Sequence, residues 1–420
     1  MAAQVTSSPA IQEAVRTLGQ ADIVIGIPSY NNARTIGHVV RAAQAGLIKY
    51  FPSFRGVIVN SDGGSQDGTP QQVIEARLPE LSVLQIDHPL YPVQRLTTPY
   101  HGLSGKGSAF RTIFQVAEAL HAKACAVVDS DLRSIAPEWI ELLAGPVLEK
   151  GFDFVAPYYL RHKYDGTITN SIVYPVTRAL YGQRIRQPIG GDFGFSGRLV
   201  NHYLGYDVWQ SDVARFGIDI WVTTTAICGG FSLCQAFLGA KLHDPKDPAS
   251  DLSDMLAQVV GSLFAEMERQ VEIWTRVNGS QDVPIFGFQF AVGTEPVNVN
   301  TKRMIDSFRR AHQDLRDIWS VALPAPTMLG LEALAAAADG QFSFSDALWV
   351  RIVYDFAVAY HQRVMDRGHL LQSLTPIYLA WVASFIIQVQ EAGPTEVEER
   401  LERLCLTYET EKTYLISRWK

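Results

Sequence analysis

The chain has 420 residues, with 36 basic against 43 acidic side chains and a formal charge of −7. That length allows two or three units of about 150 residues, each with a core of its own. Apolar residues at 47% and charged ones at 19% exclude a disordered chain, and the mild acidity excludes a non-specific nucleic-acid binder, which needs a basic face.

Residues 1–20 read as a polar N-terminal tail, with neither the basic nor the apolar region of a secretory leader. Strand-like and helix-like segments then alternate. Residues 22–28 (DIVIGIP) form a β-branched run, and Ile36, Val39, Val40, Ala43 and Leu47 fall on one helical face. Residues 56–60 (GVIVN) predict a second strand, Thr69-Pro70 opens a helix, and residues 81–86 predict a third strand. Phe110, Ile113, Phe114, Ala117 and Leu120 make another helical stripe, ahead of a fourth strand at 124–128 (ACAVV). This rhythm implies βαβ crossovers and a parallel sheet covered on both faces.

From 152 to 243 the pattern loosens into aromatic, glycine-rich and arginine-rich stretches that suit a mixed sheet and an acceptor site, with a strand-like run at 231–238. A linker (DPKDP) follows His243. Helical spacing then runs from Leu252 to Trp274, and helices are predicted at 301–315, 345–365, 377–390 and 395–406. The apolar stretch 377–389 is shorter than the ~18 residues a membrane span needs. Thr375-Pro376 predicts its start, as a cap followed by proline. The domains are therefore a tail at 1–20, an α/β catalytic domain at 21–250 and a mostly helical region at 251–420, whose apolar stripes suit either a homodimer interface or packing on the chain's own sheet. Cys125, Cys228, Cys234 and Cys405 have no zinc-like spacing and read as buried thiols in a reducing, cytoplasmic setting.

Four features fall where an open α/β sheet binds ligands, at the carboxyl ends of strands. Pro28, Ser29, Tyr30 and Asn32 after the first strand are placed either to meet a base or ribose or to form a capped turn. Asp62 opens a glycine-rich loop (DGGSQDGT) that reads as a ribose or imide contact or as a surface turn. Lys106, in Ser104-Gly105-Lys106-Gly107-Ser108 ahead of a helix, makes an anion site without Walker A spacing. Asp129-Ser130-Asp131 ends a buried strand; two carboxylates two residues apart can share a hard divalent cation, Mg2+ or Mn2+. Together they compose a site for a nucleoside diphosphate sugar, where metal and lysine offset the charge of a departing diphosphate.

The order P-x-x-N, D-G-G-S-x-D, G-K-G and D-S-D resembles the GT-A glycosyltransferases. The later motifs Gln187-Pro188-Ile189-Gly190-Gly191-Asp192, Phe216-Gly217-Ile218-Asp219 and Lys241-Leu242-His243 are similar to those of the retaining synthases of glucosyl-3-phosphoglycerate, glucosylglycerate and mannosylglycerate. Asn32 stands where many of these relatives carry Glu. The resemblance implies a GT-A fold with a mixed, mainly parallel sheet and helices beyond it. It implies a metal on Asp129, Asp131 and His243, Lys106 on the nucleotide sugar, and an acceptor cradled by the Gly190–Gly191 backbone. It also implies that Arg161 and Thr169 hold the carboxylate and hydroxyls of glycerate, for which a guanidinium is a bidentate match. Asp219 would orient sugar hydroxyls, while the leaving phosphate takes the acceptor proton on the same face.

The function so implied is transfer of a hexose, glucose from UDP-glucose or another sugar from a GDP-sugar, to D-glycerate or 3-phosphoglycerate. The alternatives are a mannosylglycerate-type synthase using GDP-mannose and a sugar-1-phosphate nucleotidyltransferase, though the loop at 28–32 lacks the Gly-rich, Arg-Lys-bearing pattern of the latter. A non-catalytic nucleotide-sugar-binding protein is a third reading. The site predicted from sequence involves no nucleic acid and no membrane.

Overall fold

A computed structural model of the chain describes residues 9–76, 82–87, 105–209, 213, 217–242, 248–290 and 299–419. It divides into two compact units. The first comprises Met1–Leu160, Ile185–Pro245 and Val283–Gly293, and the second Arg161–Arg184, Lys246–Asp282 and Thr294–Lys420. Residues 161–184, from within the α/β stretch of the sequence, thus group with the helical remainder. Leu81, Ser104, Phe216, His243 and the linker at 244–247 lie outside the described residues.

The first unit begins with helix α1 (Pro9–Leu18), so the expected tail carries a helix of its own. Then follow β1 (Ile23–Ser29), α2 (Ile36–Tyr50), β2 (Gly56–Asp62), α3 (Thr69–Ala76), β3 (Ser82–Asp87), α4 (Lys106–Ala119), β4 (Ala124–Val127), α5 (Pro137–Lys150) and β5 (Phe154–Leu160). The strands form one sheet with β6 (Phe193–Ser196), β7 (Leu233–Ala240) and the two-residue β8 (Ile285–Phe286), in the order β3-β2-β1-β4-β6-β5-β7-β8. Only β6 runs antiparallel to its neighbours β4 and β5. This is the mixed, mainly parallel sheet that the motif order implied.

Both faces are buried. Ile23, Ile25 and Ile27 pack with Val39, Val40 and Trp139 on the α2–α5 side, while Val24 packs with Phe110, Ile113 and Phe114 of α4 on the other. Two buried faces leave no polar alternation in β1, which is why it reads as a continuous apolar run. Gly26 is required by this packing, because a Cβ there would overlap the Ile113 side chain. Helices α7 (Gly197–Leu204) and α8 (Ile218–Cys228) complete the unit.

The second unit contains a π-helical turn (Thr169–Val173) leading into α6 (Tyr174–Tyr181), then α9 (Pro248–Arg269), α10 (Val271–Trp274), α11 (Thr301–Asp314), α12 (Arg316–Ala322) and α13 (Ala325–Ala336). Helices α14 (Asp346–Gln362), α15 (Arg367–Val389), α16 (Pro394–Thr410) and α17 (Lys412–Arg418) close it. Its core is aromatic: Trp274, Trp319, Trp349, Trp381, Tyr354, Tyr378 and Tyr408 are all fully buried.

Helix α15 corrects the sequence reading twice. It starts at Arg367, where the Asp366 side chain accepts from His369 N at 3.0 Å, and Pro376 lies inside it. The true cap is an Asp nine residues before the Thr-Pro pair expected to start the helix, and tertiary packing tolerates the proline. At 23 residues the helix is also long and apolar enough to cross a membrane, unlike the short segment expected, yet 72% of its apolar window is buried within the protein. That burial is what a core helix shows.

Candidate functional site

In the sheet order, β1 is flanked by β2 and β4, so the crossovers diverge between β1 and β4. Crevices of this kind, beyond the carboxyl ends of strands, are where open α/β sheets bind ligands. The segments after β1, β2 and β4 meet there. Ser130 Oγ donates to Asn32 Oδ1 at 2.8 Å, and Thr35 Oγ1 donates to the Ser130 carbonyl at 2.8 Å. Asn31 takes the left-handed conformation (φ 54°), and its Oδ1 accepts from Gln66 N. Tyr30 beside it is 40% exposed, a ring available for stacking.

Asp62 is fully buried, and its own surroundings fill it. Oδ1 accepts from Ser29 Oγ at 2.8 Å and Ser65 Oγ at 2.7 Å; Oδ2 accepts from Gly64 N at 3.0 Å and Ser65 N at 2.8 Å. Four bonds are about the capacity of a carboxylate. Asp62 therefore builds the loop on which Ser29 and Tyr30 sit.

Lys106 is the first residue of α4, after Gly105, which supplies no side-chain cap; the opening amides of a helix have no partner within it. Its Nζ lies 2.9 Å from Asp129 Oδ1 and 3.2 Å from Asp219 Oδ2, in the first turn of α8. The other Asp129 oxygen, Oδ2, is 2.7 Å from Lys241 Nζ, so Asp129 bridges two ammonium groups. Lys241 also donates to Asp192 Oδ2 and to the Gly190 carbonyl, both at 2.8 Å. Asp192, wholly buried, accepts from Asp129 N at 2.8 Å through Oδ1 and from the Tyr159 hydroxyl through Oδ2.

Burial alone would lift the Asp129 carboxyl, but Lys106 and Lys241 outweigh it and hold the group well below the ordinary range. Burial would likewise discharge Lys106, yet Asp129 and Asp219 keep it firmly charged. For Asp192 and Asp219 burial wins: both are raised, each also by the nearby Asp129 charge, against the pull of Lys241 and Lys106. Asp219 Oδ1 is buried and has no hydrogen-bond partner among the described residues. A buried acceptor without a donor is costly and marks a place where a ligand hydroxyl is welcome.

Gly191 has φ +88°, and a Cβ there would overlap the Asp129 carboxylate; a Cβ on Gly190 would overlap Pro157. The Gly-Gly pair thus gives Asp129 its room. Lys241, Asp192 and Tyr159 escaped assignment as site residues from the sequence. Lys241 was legible only as part of the Lys-Leu-His motif, because its partners lie 49 to 112 positions away.

In donor chemistry the D-S-D pair fits Mg2+ or Mn2+: its carboxylates are hard oxygens, and each Asp129 oxygen keeps a lone pair beside its lysine. Asp131 is half-buried in the turn after β4. Leu242, the residue before His243, is fixed to that same turn, its carbonyl accepting from Arg133 N and its amide donating to Ser134 Oγ, both at 2.9 Å. Among the described residues, no three His, Cys, Asp or Glu side chains gather as a metal set. His243, the expected third ligand, lies outside them.

Arg161 and Thr169 belong to the second unit. Arg161 Nη1 reaches Asp165 Oδ2 at 3.4 Å, and buried Thr169 opens the π-helical turn. An apolar groove of about 850 Å³ beside α5 and β7, lined by Trp139, Phe237, Phe286 and Phe288, contains none of the candidate residues and is not the site.

No protein-family profile matches the chain, and no curated protein does. Among solved structures it is similar to glucosyl-3-phosphoglycerate synthase from Mycobacterium tuberculosis. In complex with Mn2+, UDP and glucosyl-3-phosphoglycerate, that enzyme matches at 21% identity over 62% of this chain and 85% of its own, with a TM-score of 0.44. Its complex with Mn2+, UDP-glucose and phosphoglyceric acid gives 20% identity over 63% and 86%, again at 0.44. The complex with Mg2+ and UDP gives 21% over 62% and 84%, also at 0.44.

Proposed function

We propose that the chain is a retaining glycosyltransferase that moves a hexose from a nucleoside diphosphate sugar to a hydroxyl of D-glycerate or 3-phosphoglycerate. The observation that carries this reading is the Lys106–Asp129–Asp219 cluster at the β1–β4 switch point: a charged lysine at a helix start, beside a buried carboxylate oxygen without a partner among the described residues. Lys106 and the α4 amides would meet the diphosphate and stabilise the charge that develops as it leaves. Asp219 Oδ1 would accept from a sugar hydroxyl and fix the ring, leaving the departing phosphate to take the acceptor proton on the same face.

Pro28, Ser29, Tyr30, Asn32 and Ser130 would receive the base and ribose, on the loop that Asp62 holds. Asp131, with the spare lone pairs of Asp129 and the His243 imidazole, would hold Mg2+ or Mn2+. When bound, that cation supplies Lewis-acid charge to the diphosphate. Gly190 and Gly191 would turn backbone toward the acceptor, and Arg161 and Thr169 would take its carboxylate and hydroxyl. Glucose carried by UDP is the donor to try first, with GDP-mannose as the second.

Thermal unfolding with UDP and GDP, with and without Mn2+, tests the reading. A Tm rise that needs both nucleotide and cation, and is lost in Lys106→Met, is expected. No rise with any nucleoside diphosphate would contradict it.

A further inference from the structure

In the second unit, the segment from Arg161 to the π-helical turn is fastened to three helices. Lys163 Nζ donates to the carbonyls of Val389, Gln390 and Ala392 at 2.8, 2.6 and 3.1 Å. Helix α15 ends at Val389 with no basic residue in its last turn. The final carbonyls of a helix lack partners within it, and an ammonium there meets both that need and the helix dipole. Four residues on, the Thr167 hydroxyl shares a 2.5 Å hydrogen bond with the hydroxyl of Tyr378, buried midway along α15.

Beyond Thr167 the Ser171 carbonyl accepts from Trp349 Nε1 of α14 at 3.0 Å and from the Tyr408 hydroxyl of α16 at 2.8 Å. These two donors hold the π-helical turn, a rare geometry that concentrates at functional sites. Between the fastenings the chain turns tightly, with Asp165 N donating to the His162 carbonyl at 2.8 Å and Gly166 at φ +65°. Lys163 thus lies two residues after Arg161, and Thr167 two residues before Thr169.

We propose that Lys163 and Tyr378 are positioning residues for the acceptor, holding Arg161 and Thr169 by tying the segment between them to α15; this rests on the acceptor role given to those two residues above. Ordering a chain segment around a ligand costs backbone conformational entropy, and a backbone already fixed two residues away lowers that cost. The helical unit thereby gains a role in acceptor recognition through hydroxyl and ammonium groups that touch no substrate. Helix α15 does not depend on Lys163 to form, since it has its own N-cap and a long buried face.

Steady-state kinetics with UDP-glucose, D-glycerate and Mn2+ test this in Tyr378→Phe and Lys163→Gln, with Arg161→Ala as reference. Tyr378→Phe deletes one oxygen and keeps the ring; loss of one hydrogen bond corresponds to roughly a fivefold rise in acceptor KM. Lys163→Gln is expected to raise it further, with the donor KM unchanged, the Tm of Tyr378→Phe lowered by only about 2–4 °C, and faster amide exchange across 161–170. If Arg161→Ala raises the acceptor KM while both fastening variants leave it untouched, the inference fails and the acceptor reading stands. If Arg161→Ala leaves the acceptor KM unchanged, the acceptor reading fails and takes the inference with it. Should Lys163→Gln not fold, Tyr378→Phe decides alone.

Discussion

At the scale of single residues, the site is a set of charges that only make sense together. Asp129 carries a lysine on each oxygen, and Asp219 keeps one oxygen open beside Lys106. Asp131 lies half-buried in the turn after β4, so its removal opens no core cavity. Asp131→Ala is therefore expected to keep its Tm while turnover falls by about 100-fold or more, the size of a lost transition-state charge contact. Near-normal turnover of that variant after metal chelation would show that Asp131 holds no catalytic cation. Lys106, Asp129 and Asp219, which the structure brings together, were legible in the sequence because each follows a strand or opens a helix within a short motif. Lys241 and Asp192 were not, because what defines them is a pairing across the sheet. Asp62 was legible as a site position but not in its manner of acting, since the loop that saturates it is a matter of geometry.

At the scale of elements, close approach and buried hydrogen bonds set the constraints. Gly191→Ala places a Cβ against Asp129 at a positive φ, so it is expected to lower stability by about 1–3 kcal/mol and to weaken nucleotide binding. Urea unfolding and the UDP-dependent Tm rise measure both; wild-type values in each would contradict the packing described. At the start of β5, buried Asp153 accepts from Ser196 Oγ and Ser232 Oγ, both at 2.8 Å, and from Arg198 Nη2 at 2.5 Å. Burial would raise this carboxyl, but these donors prevail and bring it down to about 2. A depressed folded-state pKa stabilises the protein above the unfolded value, and the benefit fades as pH falls through the folded one. The stability gap between wild type and Asp153→Asn, about 2 kcal/mol near neutrality, should thus be constant down to about pH 4 and shrink toward about pH 2. A gap that holds or widens on acidification would be the wrong sign. Helix α15 shows the opposite side of local reading: Thr375-Pro376 imitates a helix start, while Asp366 makes the real one.

At the scale of the molecule, β1, β2 and β4 could be read because strands buried on both faces open as apolar runs without polar alternation. The short antiparallel β6 and the two-residue β8 carry too few residues for any period to appear. Nor could the grouping of residues 161–184 with the helical unit be read, because it is made by contacts of long separation. Arg178, wholly buried, bonds Glu402 and Glu409, 224 and 231 positions away. The claim on which the rest depends is that a hexose leaves a nucleoside diphosphate at the end of β1 and β4 with its anomeric configuration kept. The most direct measurement is a donor-by-acceptor matrix, UDP-glucose and GDP-mannose against D-glycerate and 3-phosphoglycerate with Mn2+, read by product mass and anomeric configuration. The expected result is a single hexosyl product with retained configuration that is absent when the cation is removed. An inverted product, or none from any pair, would contradict it.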